Sequence, residues 1–510
     1  MRFTSVTGAL AAVAVGTLVL SGCSAGANTA SSSAGGTKGD LKIGMLGDVT
    51  SWDASQAQVA NLLQPYQAPY DSLILQDPDG TLKPMLATKW SYNKDNTVLT
   101  LDLRTDVTFS DGAKFDAEAV KANVDHFKNG KGRETAQLAS VKNVKVVDSD
   151  TVEYQLSAPD PSLVNNLSQA GGLMVSPKAM SNPDLATHPV GSGPYVMDIK
   201  NSTAGTIYTF VPREGYWNPE LQKFDKVTFS VLTENSARLN ALLSGQINAA
   251  ILDTKSGTPA KAAGKNEMVV NVNWDGLLLI DRDGKVNKAM GDVRVRQAIN
   301  YAFDRKTLLT QLAGGNGEVT NQVFGKSSGG YIESLESAYP YDPAKAKQLL
   351  KEAGYEKGLT IQIPASPTFA EIWPALTQQL ADVGITMEPV TISPTEVVSS
   401  IFKAKYPMAF FRLVQGSSWS AINQIIAPNA PFNPFHNTTP ELQKMIDAVQ
   451  NGGEKSGELG AEVNKYVTEN AWFAPLFRSA ITYYTDPSIK VVGQYQSATP
   501  SLYNYSPAGK

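Results

Sequence analysis

DVRVRQAINYAFDRKTLL, running from Asp292 to Leu309, opens the second half of the chain. Val295, Ala298, Ile299, Ala302 and Phe303 recur at i, i+3, i+4, i+7 and i+8, which predicts one amphipathic helix laid on a core. On that wheel Gln297, Asn300, Asp304 and Arg305 face outward, and Asp292 is the expected N-cap. The whole chain has 510 residues. At roughly 150 residues per domain, that length predicts two to three lobes rather than one core.

On the C-terminal side of this stretch, Tyr341 to Tyr355 reads as a second helix, with Asp342 as cap, Pro343 at its first turn, Ala346, Leu349, Leu350 and Ala353 inward, and Gly354 as terminator. Strand Leu359 to Ile363, helix Ala370 to Asp382 and strand Ile385 to Val390 follow, so a parallel pair with a right-handed crossover is expected. On the N-terminal side, Thr233 to Ser244 reads as a helix stopped by Gly245, with Gln246 to Ile251 as the strand leaving it. Lys89 to Tyr92 and Thr97 to Leu103 flank the turn residues Lys94-Asp95-Asn96 and predict a hairpin. In Phe109-Ser110-Asp111-Gly112-Ala113-Lys114-Phe115-Asp116-Ala117-Glu118-Ala119-Val120, Asp111-Gly112 makes a turn and Asp116 caps a helix buried along Val120, Val124 and Phe127. Leu41 to Met45 alternates as a half-buried first strand, and a helix is expected to begin at Val59 to Leu63 and run toward Tyr70.

Asp292 to Arg305 resembles the D-x-R-V-R-Q-A-x-N-Y-A-x-D-R segment of the family 5 solute-binding proteins, the extracellular receptors of peptide and nickel ABC importers. Phe109 to Val120, Val190-Gly191-Ser192-Gly193-Pro194-Tyr195, Arg213-Glu214-Gly215-Tyr216-Trp217, the Gly245 strand entry, Tyr341 to Tyr355 and Asn470 to Thr485 match the same family in order. The resemblance implies an α/β, two-lobed periplasmic-binding-protein fold (type II, cluster C-like) with an extra subdomain in the first lobe. It implies lobe I over 40–71, 191–274 and 476–510, the extra subdomain over 72–190 and lobe II over 275–475.

The formal net charge of −4 over this length gives no electrostatic case for nucleic acid or an anionic membrane surface. Cys23 is the one cysteine, so neither an intrachain disulfide nor a thiolate metal site can form. It follows a basic start and an apolar run, Ala9 to Leu20, and Leu20-Ser21-Gly22-Cys23 reads as a bacterial lipobox. A lipoprotein signal peptide over 1–22 and a flexible Ser/Gly/Ala-rich tether over 23–39 are expected, with Cys23 acylated at the outer face of the cytoplasmic membrane.

Catalysis has no visible constellation. His126, His188 and His436 are scattered, and His126 reads as structural. Gly325-Lys326-Ser327-Ser328-Gly329 fits G-x-S-x-G but lacks the strand and helix of a nucleophile elbow. No catalytic residue, cofactor or metal is expected.

In the family the second lobe sends a late segment into the ligand cleft, and in peptide receptors it commonly carries an aspartate for the peptide amine. Here Met408 to Ser420, continuing to His436, holds neither Asp nor Glu. Arg412 offers the opposite charge for a carboxylate or phosphate. Trp419, Phe432 and Phe435 offer an apolar or stacking surface, or else are lobe core. Trp52 is a candidate cleft wall or a packed core residue, and Asn273 and Trp274 lie near the expected crossover, where Asp275 or Asp281 could replace the missing carboxylate. The expected function is capture of a small solute, a peptide or peptide-like one, and its delivery by a monomer to an ABC permease with separate ATPases. A non-peptide solute (an anionic metabolite, a glycoside or a chelated metal) is the alternative. A tethered hydrolase and a surface adhesin belong to other classes.

Overall fold

The computed structural model describes residues 38–58 and 62–509. The signal peptide, Cys23, the tether as far as residue 37 and the start of the helix expected from Val59 lie outside the described residues. Lys38 and Gly39 are already bonded to the body, through Gln222 O and the Asp225 carboxylate.

Asp40–Met45 forms the first strand as its alternation predicts, and it pairs in parallel with both Lys226–Val231 and Ala249–Leu252. From one edge the main sheet runs Met408–Val414, Asn273–Leu279, Phe473–Thr485, Ala249–Leu252, Asp40–Met45, Lys226–Val231, Ile207–Pro212 and Tyr195–Met197. Phe473–Thr485 is its long member, at 13 residues. The first half of this strand pairs with Asn273–Leu279 and Gly317–Val319, and the second half with Ala249–Leu252 and Asn266–Asn271. Asn266–Asn271 and Asn273–Leu279 are consecutive in the chain, so with the long strand they make an antiparallel ribbon between two apolar cores. One core draws on residues from Leu41 to Phe229 and returns through Tyr483, Leu502 and Tyr505. The other side holds two clusters, from Leu277 to Phe477 and from Trp274 to Phe473, on opposite faces of the Asn273–Leu279 and Met408–Val414 pair.

The hairpin forms as Ala87–Tyr92 and Val98–Leu103 within a four-stranded antiparallel sheet, with Asn96 at the turn in the left-handed region, φ 54°. Asp116 caps Ala117–Asn129 by accepting from Ala119 N at 3.0 Å, and Val120, Val124 and Phe127 are buried. Gly191 and Gly193 pass so close to Pro69 and Tyr70 that a Cβ on either would collide with their backbone. Leu359–Ala365 and Ile385–Thr391 pair in parallel across helix Trp373–Ala381. Asp342 caps Pro343–Glu352, and Gly354 adopts φ 87°.

The stretch Asp292 to Leu309 corrects the expectation of one helix. It folds as Val293–Tyr301 and Arg305–Ala313, because the Asp304 carboxylate accepts from Thr307 N at 3.0 Å and caps a new helix. Asn300 and Arg305 are buried rather than outward. The Arg305 guanidinium donates to the carbonyls of Thr320, Pro475, Asn300 and Tyr339 and to Asn300 Oδ1, at 2.8–3.2 Å. Arg296 donates to Met290 O, Ala471 O and Asn470 O, and Asn300 Nδ2 to Phe473 O. The polar residues of this segment therefore bind the main chain of 470–475 as it enters the long strand. Burial lowers the Arg305 pKa to about 10, which leaves it protonated near neutrality.

Two other segments meet at a buried carboxylate. Asp71 accepts from Tyr216 Oη at 2.7 Å and Trp217 Nε1 at 2.9 Å, which accounts for the Tyr-Trp pair. Burial raises its pKa to about 6 against the opposing pull of those donors and Arg213.

Candidate functional site

Residues from four separated parts of the chain enclose a cavity of about 340 Å³. They are 63–76, 137 with 162–169, 414–420 and 494–503. Two of these parts are placed by regular elements: the Met408–Val414 strand delivers Gln415 to Ser420, and helix Leu163–Asn166 presents Asn165 and Asn166. The lining includes eight glutamines and two asparagines, joined by serine and threonine hydroxyls, and among the described residues it contains no Asp, Glu, Lys, Arg or His.

These carboxamides are held by one another. Gln494 Nε2 donates to Gln76 Oε1 at 3.0 Å, Gln76 Nε2 to Asn165 Oδ1 at 2.7 Å, and Asn504 Nδ2 to Gln494 Oε1 at 2.9 Å. Gln67 Oε1 accepts from Leu502 N at 2.8 Å and from Ser501 Oγ at 3.1 Å. Gln64 Nε2 donates to Pro500 O and Tyr505 Oη, which ties the C-terminal segment to the wall. Behind the wall, Arg478 Nε donates to Gln415 Oε1 at 2.9 Å while its Nη1 pairs with Glu336 at 2.7 Å. The formal charges are thus paired one layer back, and fixed dipoles face the cavity. Such a surface can exchange hydrogen bonds with hydroxyls and amides, but it supplies no counter-ion to a desolvated charge.

The residues singled out from sequence lie elsewhere. Trp52 is 2% exposed and packs on Tyr66, Tyr208 and Phe210 with ring centroids 5.1–5.6 Å away, so it is core and not a cleft wall. Trp274 is buried against Phe473. Asn273 pairs with Val414, and its carbonyl accepts from Gln415 Nε2 at 3.2 Å, so it supports the wall without joining it. Arg412 is outside the lining, with its Nε 2.7 Å from Asp275 Oδ1. Asp275 is buried there beside Ser479, and burial raises its pKa against the opposing pull of Arg412. Asp281 accepts from Lys285 N, Val286 N and Asn287 N at 2.7–2.8 Å. Neither aspartate replaces the missing carboxylate in the cavity. Phe432 packs edge-on against Phe411 and Phe402, and Phe435 is core. Trp419 belongs to the second core as well, but lines a neighbouring cavity. Hydrophobicity draws these aromatics inward, and the expectation of a stacking surface at Phe432 and Phe435 gives way to packing.

Of the segment Met408 to Ser420 singled out from sequence, the structure brings Val414 to Ser417 and Ser420 to the cavity, and it adds the C-terminal Gln494-Tyr495-Gln496-Ser497, which the sequence reading leaves out. The available signal was a run of Gln, Ser and Thr late in an otherwise strand-forming region. The Gly325–Gly329 loop backs the site: Ser328 O accepts from Ser418 N, and Tyr495 Oη and Gln496 Nε2 donate to Ser327 O. It is a turn that leads into coil at 330–332 and then the short 3-10 helix Glu333–Ser337, not directly into an α-helix. Among the described residues no His, Cys, Asp and Glu group could hold a metal, and no helix is long and apolar enough to cross a membrane.

The family described as bacterial extracellular solute-binding proteins, family 5 Middle, matches residues 81–430. The glutathione-binding protein GsiB of Salmonella paratyphi A is 33% identical over 328 residues, 62% of this chain and 62% of its own length. The chain thus spans somewhat less than two thirds of the curated relatives it matches. Among solved structures, the ABC transporter substrate-binding protein CtaP of Listeria monocytogenes superposes with TM-score 0.78 at 20% identity, covering 92% of this chain and 99% of its own. NikA of Brucella suis, in complex with Fe(III)-EDTA, gives the same TM-score, identity and coverage.

Proposed function

The chain belongs to the family 5 bacterial extracellular solute-binding proteins, and within that family we propose that it receives an uncharged, hydroxyl-rich solute such as a glycoside or short oligosaccharide. It has the two-lobed α/β fold of these binding proteins and is the extracytoplasmic substrate-binding component of an ABC importer, not an enzyme. The neutral carboxamide wall carries the solute assignment. An ion leaving water for that cavity would forfeit hydration worth several kcal/mol without a partner, whereas a hydroxyl exchanges one hydrogen bond for another.

A peptide is the second reading, supported by the glutathione-binding relatives. Glutathione carries ionised carboxylates and an ammonium, so it would need charged partners that this wall does not contain. Thermal unfolding of the purified chain against separate pools of neutral saccharides, glutathione, free dipeptides, anionic metabolites and chelated metals separates the readings. A ligand specific to the folded state adds about 2.7 kcal/mol at a hundredfold excess over Kd. A shift with saccharides alone is expected; a shift with glutathione or free dipeptides, and none with saccharides, returns the protein to the peptide reading.

The lobes are assigned to 40–71, 191–274 and 476–510 for the first, with 72–190 as its extra subdomain, and 275–475 for the second; the ribbon between the cores supports that division. The solute binds between them, and closure couples binding to docking of a monomeric receptor on the permease. Anchoring through an acylated Cys23 rests on Leu20-Ser21-Gly22-Cys23. Incorporation of labelled fatty acid in cells, lost in Cys23→Ala, is the expected result.

A further inference from the structure

A second cavity, of about 670 Å³, lies beside the first. Its walls are the Ala87–Tyr92 strand, the turn at 159–164 and, opposite, Ser417 to Trp419 with 450–457. Two hydrogen bonds join these sides, Gln450 Nε2 to Pro159 O at 3.2 Å and Asn96 Nδ2 to Asn451 O at 3.3 Å. Trp90, Tyr92 and Trp419 all line it. Trp419 is 7% exposed, and among the described residues its indole N–H has no hydrogen-bond partner.

The two cavities meet at short helices. Ser417, the N-cap of Ser418–Ala421, lines both; Ser420 faces the first and Trp419 the second. Leu163–Asn166 repeats this division, with Asn165 and Asn166 in the first cavity and Val164 in the second. The walls differ in chemistry: the first is mainly carboxamide and hydroxyl, with the rings of Tyr495 and Tyr503, while the second sets Trp90, Tyr92 and Trp419 beside polar groups that include the carboxylates of Asp160 and Glu454. Aromatic faces take the apolar C–H face of a sugar ring while an unpartnered N–H takes a hydroxyl at its edge.

Resting on the neutral-solute reading above, we propose that the second cavity is an extension subsite, in which Trp90, Tyr92 and Trp419 receive the later rings of an oligosaccharide whose leading rings occupy the carboxamide cavity. The receptor then grades its solutes by length. The direct test is calorimetry on the full chain with neutral linear β-linked glucose oligosaccharides, disaccharide against hexasaccharide. The hexasaccharide is expected to bind about tenfold more tightly, as one well-stacked ring provides. Trp90→Ala should abolish that advantage and Trp419→Phe should reduce it, both leaving disaccharide affinity unchanged, which also reports an intact fold. Equal affinity for both lengths, or an advantage that survives both substitutions, overturns the subsite while leaving the neutral-solute reading in place. If no saccharide of either length binds and a free peptide does, the neutral-solute reading fails and the subsite with it.

Discussion

The cavity wall and the ribbon behind it treat buried polarity in opposite ways. At the wall, carboxamides satisfy one another and leave no formal charge facing the solute. Behind it, Arg296 and Arg305 are buried cations whose partners in the structure are mainly carbonyl oxygens of the chain around the long strand. A guanidinium with its five donors in a fixed fork pins several main-chain segments at once, but it is costly to bury and costly to lose. A neutral amide is weaker and exchangeable, which suits a surface that must release what it binds. Main-chain anchoring is thus concentrated in the ribbon and exchangeability at the wall.

The sharpest way to break this contrast is to remove a buried cation. Arg305→Met leaves five acceptors without their donor and should destabilise the fold by about 4 kcal/mol, read by urea denaturation. Arg305→Lys should recover little, because an ammonium cannot span that fork. A loss under about 1 kcal/mol would show that the carbonyls find water instead and that the ribbon is not pinned there.

Asp71 tests the first core by pH. Its folded pKa of about 6 lies above the model-peptide carboxylate range, so the folded state holds a proton more tightly than the unfolded state. Its contribution is therefore fully present below the unfolded pKa and is lost as pH rises through about 6. Relative to Asp71→Asn, which does not titrate, the native chain should lose about 2.4 kcal/mol of stability between pH 4 and pH 7. A flat difference would place the Asp71 pKa near its ordinary value and weaken the account of Tyr216 and Trp217 as donors to a costly buried anion.

At the wall the effects are smaller and appear in binding. Gln494→Glu exchanges a donor for a carboxylate beside Gln76 Oε1 and the carbonyls of Gln76 and Asp77, all acceptors. Affinity for a neutral saccharide should fall about tenfold, with about 1 kcal/mol lost in stability. A gain in affinity for a cationic solute, with none lost for the neutral one, would mean that the wall tolerates charge.

What the sequence disclosed follows the same divide. Apolar period, caps and glycine stops located the first strand, the Ala117–Asn129 helix and the parallel pair, because burial and capping act on neighbours in the chain. The inward turn of Asn300 and Arg305 was hidden, since a period count assigns polar residues to the outside whatever carbonyls await them. The cavity was legible only as the absence of Asp and Glu from Met408 to Ser420, an absence the structure extends to the whole lining. Gln64, Gln76 and Gln494 come from opposite ends of the chain and have no signature until the fold joins them.

Arg412 gives the most discriminating small effect. By sequence it was the charge to expect in the cleft; in the structure its Nε bonds Asp275 on the neighbouring strand, and its side chain is 49% exposed outside the lining. Arg412→Ala removes the cation that opposes the burial-driven rise in the Asp275 pKa. Solvent already screens the arginine, so the loss should be near 1 kcal/mol, well below that of a fully buried pair, where about 3–5 kcal/mol is usual. Because the Asp275 pKa is raised by burial and should rise further in the variant, the penalty should grow as pH increases and shrink toward acid, where the carboxyl is protonated in both states. Saccharide affinity should stay within about twofold, since the site is separated from the cavity. If affinity collapses while stability holds, Arg412 reaches the solute after all, and the neutral wall is only part of the site.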